Sequence, residues 1–246
     1  MGEMCINFSE VKPGLRPALK ALNKDEDDET LCRKEVPDLN DKDFKAFVNM
    51  VRIDPLIEIE RASSVNINIK KSQLECLQKL ASKSNRSSEY ILDNAIIEDG
   101  YITTLDLRFE KEISDISDMK GLTRLRKLTL RGTKVSDLIP LKGLINLQEL
   151  NLEETKVSDL SPLKGLINLQ KLYLKETKVS NLSPLKGLIN LQELYLEWNS
   201  GIKDISPLQG LTKLRTLNLY YTPVSHKQVE SLEKELPGLE IFYRKH

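Results

Sequence analysis

Cysteine is scarce in this chain: Cys5, Cys32 and Cys76 are the three in 246 residues. Their number is odd and no two form a C-x-x-C pair, which disfavours a disulfide framework and a zinc knuckle and points to ordinary reduced thiols. Histidine is scarcer still, with His226 and His246 both near the C-terminus. Neither has a neighbouring Cys, Asp or Glu set of ligand spacing, so both read as solvated side chains and no metal or cofactor is expected. No run of about 18 apolar residues occurs, and the start, MGEMCINFSEVKPGL, lacks the basic and apolar regions of a secretion signal. The expectation is a cytoplasmic protein with no membrane association. There is also no excess of either charge, with 37 basic and 37 acidic side chains, so any charge logic must be local. Glycine-rich phosphate loops, H-E-x-x-H, G-x-S-x-G and any nucleophile, base and orienter set are all missing, which argues against an enzyme.

What the chain has is a repeat. LKGLINLQELNLEETKVSDLSP at 141–162, LKGLINLQKLYLKETKVSNLSP at 163–184 and LKGLINLQELYLEWNSGIKDISP at 185–207 recur with a period of 22, and the third carries one inserted residue. MKGLTRLRKLTLRGTKVSDLIP at 119–140 fits the same frame, a degenerate ITTLDLRFEKEISDIS precedes it, and LQGLTKLRTLNLYYTPVS at 208–225 begins a last copy. Each L-x-L pair, such as Leu150 with Leu152 or Leu172 with Leu174, has the period-2 alternation of a strand with one buried face. Val157, Leu160, Leu163, Leu166 and Leu169 supply the apolar positions of one return segment. No coil can bury such a face alone, so copies must stack. Pro140, Pro162, Pro184 and Pro207 fall where an extended back turns, outside the strands, and Gly143, Gly165, Gly187 and Gly210 follow as tight backbone. The end, HKQVESLEKELPGLEIFYRKH, places Val229, Leu232 and Leu236 at helical spacing and Leu239 and Ile241 after a Pro-Gly break, a terminal helix and strand.

These copies resemble the leucine-rich repeat family, nearest to the 22-residue type of bacterial internalins, over about 60% of the chain. The resemblance implies an α/β fold: a short solenoid of parallel strands with an irregular convex side and a C-terminal helical cap over 99–246. Thr133, Thr155, Thr177 and Thr222 stand where many members have Asn, which Asn199 retains. A protein partner is implied on the concave face, where three columns run across the strands. Two alternate in charge, Lys127, Glu149, Lys171, Glu193 and Arg131, Glu153, Lys175, Glu197, so each acid is expected between two bases. The middle column is Thr129, Asn151, Tyr173, Tyr195 and Asn218, with Trp198 and Tyr220 near its end. Rigid exposed aromatics bury large area at little rotamer cost, so this column is the candidate partner site. The plainer alternative is that the ladders keep the sheet soluble and the tyrosines cover aliphatic stems.

Residues 1–60 read as an arm or linker, with an acidic KDEDDE and a short helix near 41–50 carrying Phe44, Phe47 and Val48. At 61–98, Val65, Ile67 and Ile69 alternate with Asn66, Asn68 and Lys70 as a strand does. Ser72 and Glu75 then have capping-box spacing, and Leu74, Leu77, Leu80 and Ala81 form a stripe. Asn85 suits a left-handed turn, Ser87 can cap a second helix, and Ile91, Leu92, Ala95 and Ile96 are that helix's expected buried side. Strand, helix, turn, helix resembles the ribbon-helix-helix repressors and antitoxins. That resemblance implies a homodimer on duplex DNA, with Asn66, Asn68 and Lys70 on the ribbon and Ser87 and Ser88 at a phosphate. The turn has Asn85 where Gly is usual and the ribbon centre lacks a basic residue. The alternative for this unit is a cap on the solenoid's first coil.

Overall fold

The computed structural model describes residues 5–7, 30–32 and 69–244. Near the N-terminus β1 (Cys5–Asn7) pairs antiparallel with β2 (Thr30–Cys32). The expected helix near 41–50 and the expected ribbon strand, with Asn66 and Asn68, lie outside the described residues.

Ile69–Arg86 and Tyr90–His246 make one compact unit. Its sheet has eight strands: β3 (Ala95–Glu98) antiparallel to β4 (Tyr101–Asp106), then β5 (Lys127–Thr129), β6 (Glu149–Asn151), β7 (Lys171–Tyr173), β8 (Glu193–Tyr195), β9 (Thr216–Asn218) and β10 (Glu240–Phe242), all parallel to β4. From β5 onward each strand is three residues long, centred on one inward apolar residue, which in β5 to β9 is the first leucine of the L-x-L. The register steps by one repeat, so Leu105, Leu128, Leu150, Leu172, Leu194 and Leu217 form one inward row. All are essentially solvent-free and join the back-side leucines in one continuous core. Full burial of each leucine is worth about 1.5–3 kcal/mol, and the coils share that burial.

The return segments are not helical layers. Short 3-10 turns begin with the recurring prolines, as in Ile139–Leu141, Ser161–Leu163, Ser183–Gly187 and Ser206–Leu208. Pro suits the first positions of such a turn because its missing N–H is an orphan there anyway. Asp137, Asp159, Asn181 and Asp204 each accept the backbone N–H two residues on, at 2.8 to 2.9 Å, tightening the entry. Of the four repeat glycines only Gly143 and Gly165 take a positive φ; Gly187 lies inside its 3-10 turn instead. Coils are also tied laterally, since the Asn146, Asn168 and Asn190 amides each donate to a carbonyl one repeat back at 2.8 Å.

At the first coil, α1 (Lys71–Ser84) lays Cys76, Leu77, Leu80 and Ala81 into the same core, with Leu74 half-buried. Its buried Gln73 accepts from Ile102 N at 3.2 Å and donates to Gly121 O at 3.0 Å. Lys83 bridges Asp115 and Asp118 at 2.7 and 2.6 Å, and Arg86 meets Glu110 at 3.1 Å. The helix starts at Lys71 with Lys70 as N-cap, so Ser72 lies inside the first turn and is not the cap that its spacing with Glu75 predicts. Asn85 does take the left-handed conformation, φ 55. The next helix, α2 (Ser88–Asp93), is one turn and a half, and Ala95 and Ile96 belong to β3, with Ile96 more than half exposed. The expectation of a longer second helix fails because pairing with β4 outcompetes a weak local helical stripe. At the other end α3 (His226–Glu235), entered through a Ser225–Gln228 capping box, buries Val229 and Leu232.

Candidate functional site

The sheet's outer face is built by the residues between the inward leucines. Register brings Thr129, Asn151, Tyr173, Tyr195 and Asn218 into one column, as the repeat predicts, and extends it to Asp106 and Phe242. Tyr173 and Tyr195 stack with ring centroids 4.8 Å apart and planes 8° from parallel. Both are half-buried. Burial and the carboxylates of Glu149 and Glu193 push the Tyr173 phenol above its ordinary range, and burial and Glu193 do the same to Tyr195, whose hydroxyl meets Glu193 at 3.2 Å.

The charge columns pair less regularly than expected. Lys127 reaches Glu149 at 3.3 Å and Lys171 reaches Glu193 at 2.7 Å, whereas Arg131 is shared between Glu153 at 3.3 Å and Glu154 at 2.7 Å. The second ladder breaks at its end, because Lys175 turns to Glu176 at 3.8 Å and leaves Glu197 with only its longer-range charge, not a direct ion pair. One Glu197 oxygen accepts from the Asn218 amide at 2.6 Å, and the other is buried with no hydrogen-bond partner. Burial, reinforced by Glu153, raises its carboxyl above the ordinary value. The face is therefore polarised. Its first strands carry Arg108, Lys127 and Arg131 against Asp106; from β6 onward Glu149, Glu153, Glu154, Glu176, Glu193 and Glu197 stand against Lys171 and Lys175.

A further column, not anticipated from the sequence, lies one step past the strands. Phe109, Gly132, Glu154, Glu176, Trp198 and Tyr221 all have positive φ, between 54° and 70°. The N–H of each of the first five bonds to the adjoining coil, as Glu176 N does to Glu197 O and Trp198 N to Tyr220 O. Here Trp198 and Tyr221 stack at 4.0 Å, and Tyr220 lies 6.4 Å from Tyr221. Tyr221 was missed because only the L-x-L frame was followed; aligning the copies at the Trp198 position finds it.

Repeats 141–162 and 163–184 differ at four positions, and three of these, Glu149 against Lys171, Asn151 against Tyr173 and Glu153 against Lys175, lie on this face. The core and back are unchanged apart from Asp159 against Asn181.

The family model described as Leucine Rich repeats (2 copies) matches residues 145–187 and 189–237. Over those residues the chain is similar to leucine-rich repeats. The solved structure of internalin C2 from Listeria monocytogenes is 28% identical at a TM-score of 0.52, covering 70% of this chain and 81% of that one. Internalin F from the same organism is 26% identical at 0.50, covering 71% of this chain and 57% of that one. A TLR13–ssRNA13 complex, 23% identical over 61% of this chain and 22% of that one at 0.51, shares the leucine-rich repeat fold. No curated protein matches the sequence.

The ribbon-helix-helix reading gains no support. The stripe of α1 that such a protein would use in a dimer core is consumed by the first leucine-rich coil. Lys70 is exposed but lies over the Tyr101 ring, 4.2 Å from its centre, and bonds the Tyr101 hydroxyl. Ser87 and Ser88 are half-buried at the start of the short α2. Among the described residues no helix is long and apolar enough to cross a membrane, and no group of three or more His, Cys, Asp or Glu could hold a metal.

Proposed function

We propose that this chain is a non-enzymatic recognition module that holds a protein partner on the outer face of its sheet, centred on Tyr173 and Tyr195. The observation that carries this is the distribution of differences between near-identical coils: the back and core are copied, while the face is diversified. A surface varied against a constant scaffold is what a binding site requires and what stability alone does not. The stacked tyrosines are pre-ordered by packing, so they lose little rotamer freedom on binding. Thr129, Asn151, Asn218, Tyr220 and Trp198 extend the contact along the column. In this reading α1 and α3 with β10 are caps that close the two ends of the core, the alternative weighed above to a DNA-binding unit; the buried Gln73 bridge supports it at the N-terminal side.

The test is affinity enrichment with immobilised full-length protein. Tyr173→Ala with Tyr195→Ala should abolish retention of whichever protein the wild type holds, whereas Ile145→Ser with Ile167→Ser, on the back, should not. Equal retention by the tyrosine variant and the wild type overturns the reading.

A further inference from the structure

Resting on that reading, the chemistry of the face points to the class of its partner. Trp198, Tyr220 and Tyr221 are 51%, 41% and 48% exposed. Trp198 and Tyr221 hold left-handed backbone, φ 61 and 60, which costs bulky side chains and favours glycine. Gly132 occupies the equivalent place in an earlier coil, so the fold accepts glycine there. Two large aromatics kept in a strained conformation, stacked and open to solvent, form a flat π surface with no covering residue to explain it. Around it the charge is negative. Glu176, paired with Lys175 at 3.8 Å, occupies the neighbouring coil's position beside Trp198, and Glu197, immediately before it, has a buried carboxylate oxygen lacking a donor, so the two acids outnumber the one base between them.

We propose that the partner docks through a basic segment, with a lysine or arginine side chain lying on the Trp198–Tyr221 platform and the carboxylates of Glu176 and Glu197 adjoining it. Aromatic faces attract cations through the ring quadrupole, and arginine stacks on them as well. A single-stranded nucleic acid could also stack on such rings, but its phosphates would face the glutamates. The basic peptide is the occupant the charges favour.

Trp198 is the single tryptophan of the chain, so its fluorescence reports this platform alone. The full-length protein is titrated with a nine-residue peptide alternating Arg and Gly, with the same peptide carrying Glu in place of Arg, and with a single-stranded oligouridylate. The expected result is a saturable change with the arginine peptide only, weakened roughly tenfold by Glu176→Lys with Glu197→Gln and also by raised salt. No saturable response to the arginine peptide, an equal response to either of the other probes, or an unchanged response in the variant overturns the proposal. If the peptide arm fails while Tyr173→Ala with Tyr195→Ala still abolishes enrichment, the binding face stands and the basic partner falls. If that tyrosine variant is also silent, both fall.

Discussion

Asn199 should be the costliest polar side chain to remove. It is 1% exposed. Its amide donates to Leu174 O at 2.7 Å in the preceding coil and to Leu196 O at 2.9 Å in its own, with a longer contact to Glu197 O at 3.3 Å. Its oxygen accepts from Thr177 N at 3.2 Å and, at 2.8 Å, shares the single Thr177 hydroxyl proton with Leu174 O, 3.0 Å from that hydroxyl. Elsewhere the same position is threonine, making one bond within its own coil: Thr133 to Leu130 O, Thr155 to Leu152 O and Thr222 to Leu219 O, at 2.6 to 2.7 Å. A net contribution of about 1 kcal/mol per well-formed bond, with the long contacts discounted, gives about 3 kcal/mol for Asn199→Ala. Asn199→Thr should cost only about 1–2 kcal/mol, since the hydroxyl can restore the bond to Leu196 O. In a Thr177→Ala background, Asn199→Ala should cost about 1 kcal/mol less than in the wild type, because the shared bond is already gone. Urea unfolding followed by far-UV circular dichroism and by Trp198 emission gives all four values, and coincidence of the two probes checks that the solenoid melts as one unit. Asn199→Ala costing under about 1 kcal/mol, or Asn199→Thr costing as much as Asn199→Ala, refutes the clasp.

Two further outcomes concern charge. The bonds from Lys83 hold the Asp115 carboxyl down at about 2 and lower that of Asp118. Carboxyls depressed on folding stabilise above their unfolded value and lose that contribution as pH falls through the folded one, so the protection of α1 amides, corrected for intrinsic exchange, should fall between about pH 4 and 2, and Lys83→Met should weaken that dependence while the Ser117 bonds to Asp115 and the Lys79 pair with Asp118 keep part of it. Glu197 has the opposite sign: burial raises its carboxyl, so the ionised form is disfavoured in the fold, and Glu197→Gln should raise the melting temperature slightly at pH 7 with the gain vanishing near pH 4.

The solenoid was legible because its signal is a sum over copies: the spacing of Leu128, Leu150, Leu172 and Leu194 fixes strand, register and inward face together, and the Tyr173–Tyr195 column follows from that register. Two kinds of feature were not legible. Ala95 and Ile96 lie in an apolar run that serves a helix or a strand, and only the distant β4 decides between them. Which base each acid chooses depends on side-chain reach, so Lys175 could turn to Glu176 and strand Glu197 without any change in the pattern. The strand-helix-helix order expected around Asn66 and Asn68 is short enough to be shared by unrelated units, and the burial of Leu77 and Leu80 in the first coil is a long-range fact.

The alternation of sign along the strands has a consequence for how such an array can grow or shrink. The core is indifferent to the number of coils, since each leucine row is met by another of the same kind. The face is not. Excising 163–184 would leave the leucines matched but set Glu149 opposite Glu193 and Glu153 opposite Glu197, like charges where cross-strand contact is closest. Adding or losing two coils together preserves the sequence of signs. The interior thus counts by ones and the exterior by pairs, and it is the exterior that constrains how far the repeat number can drift.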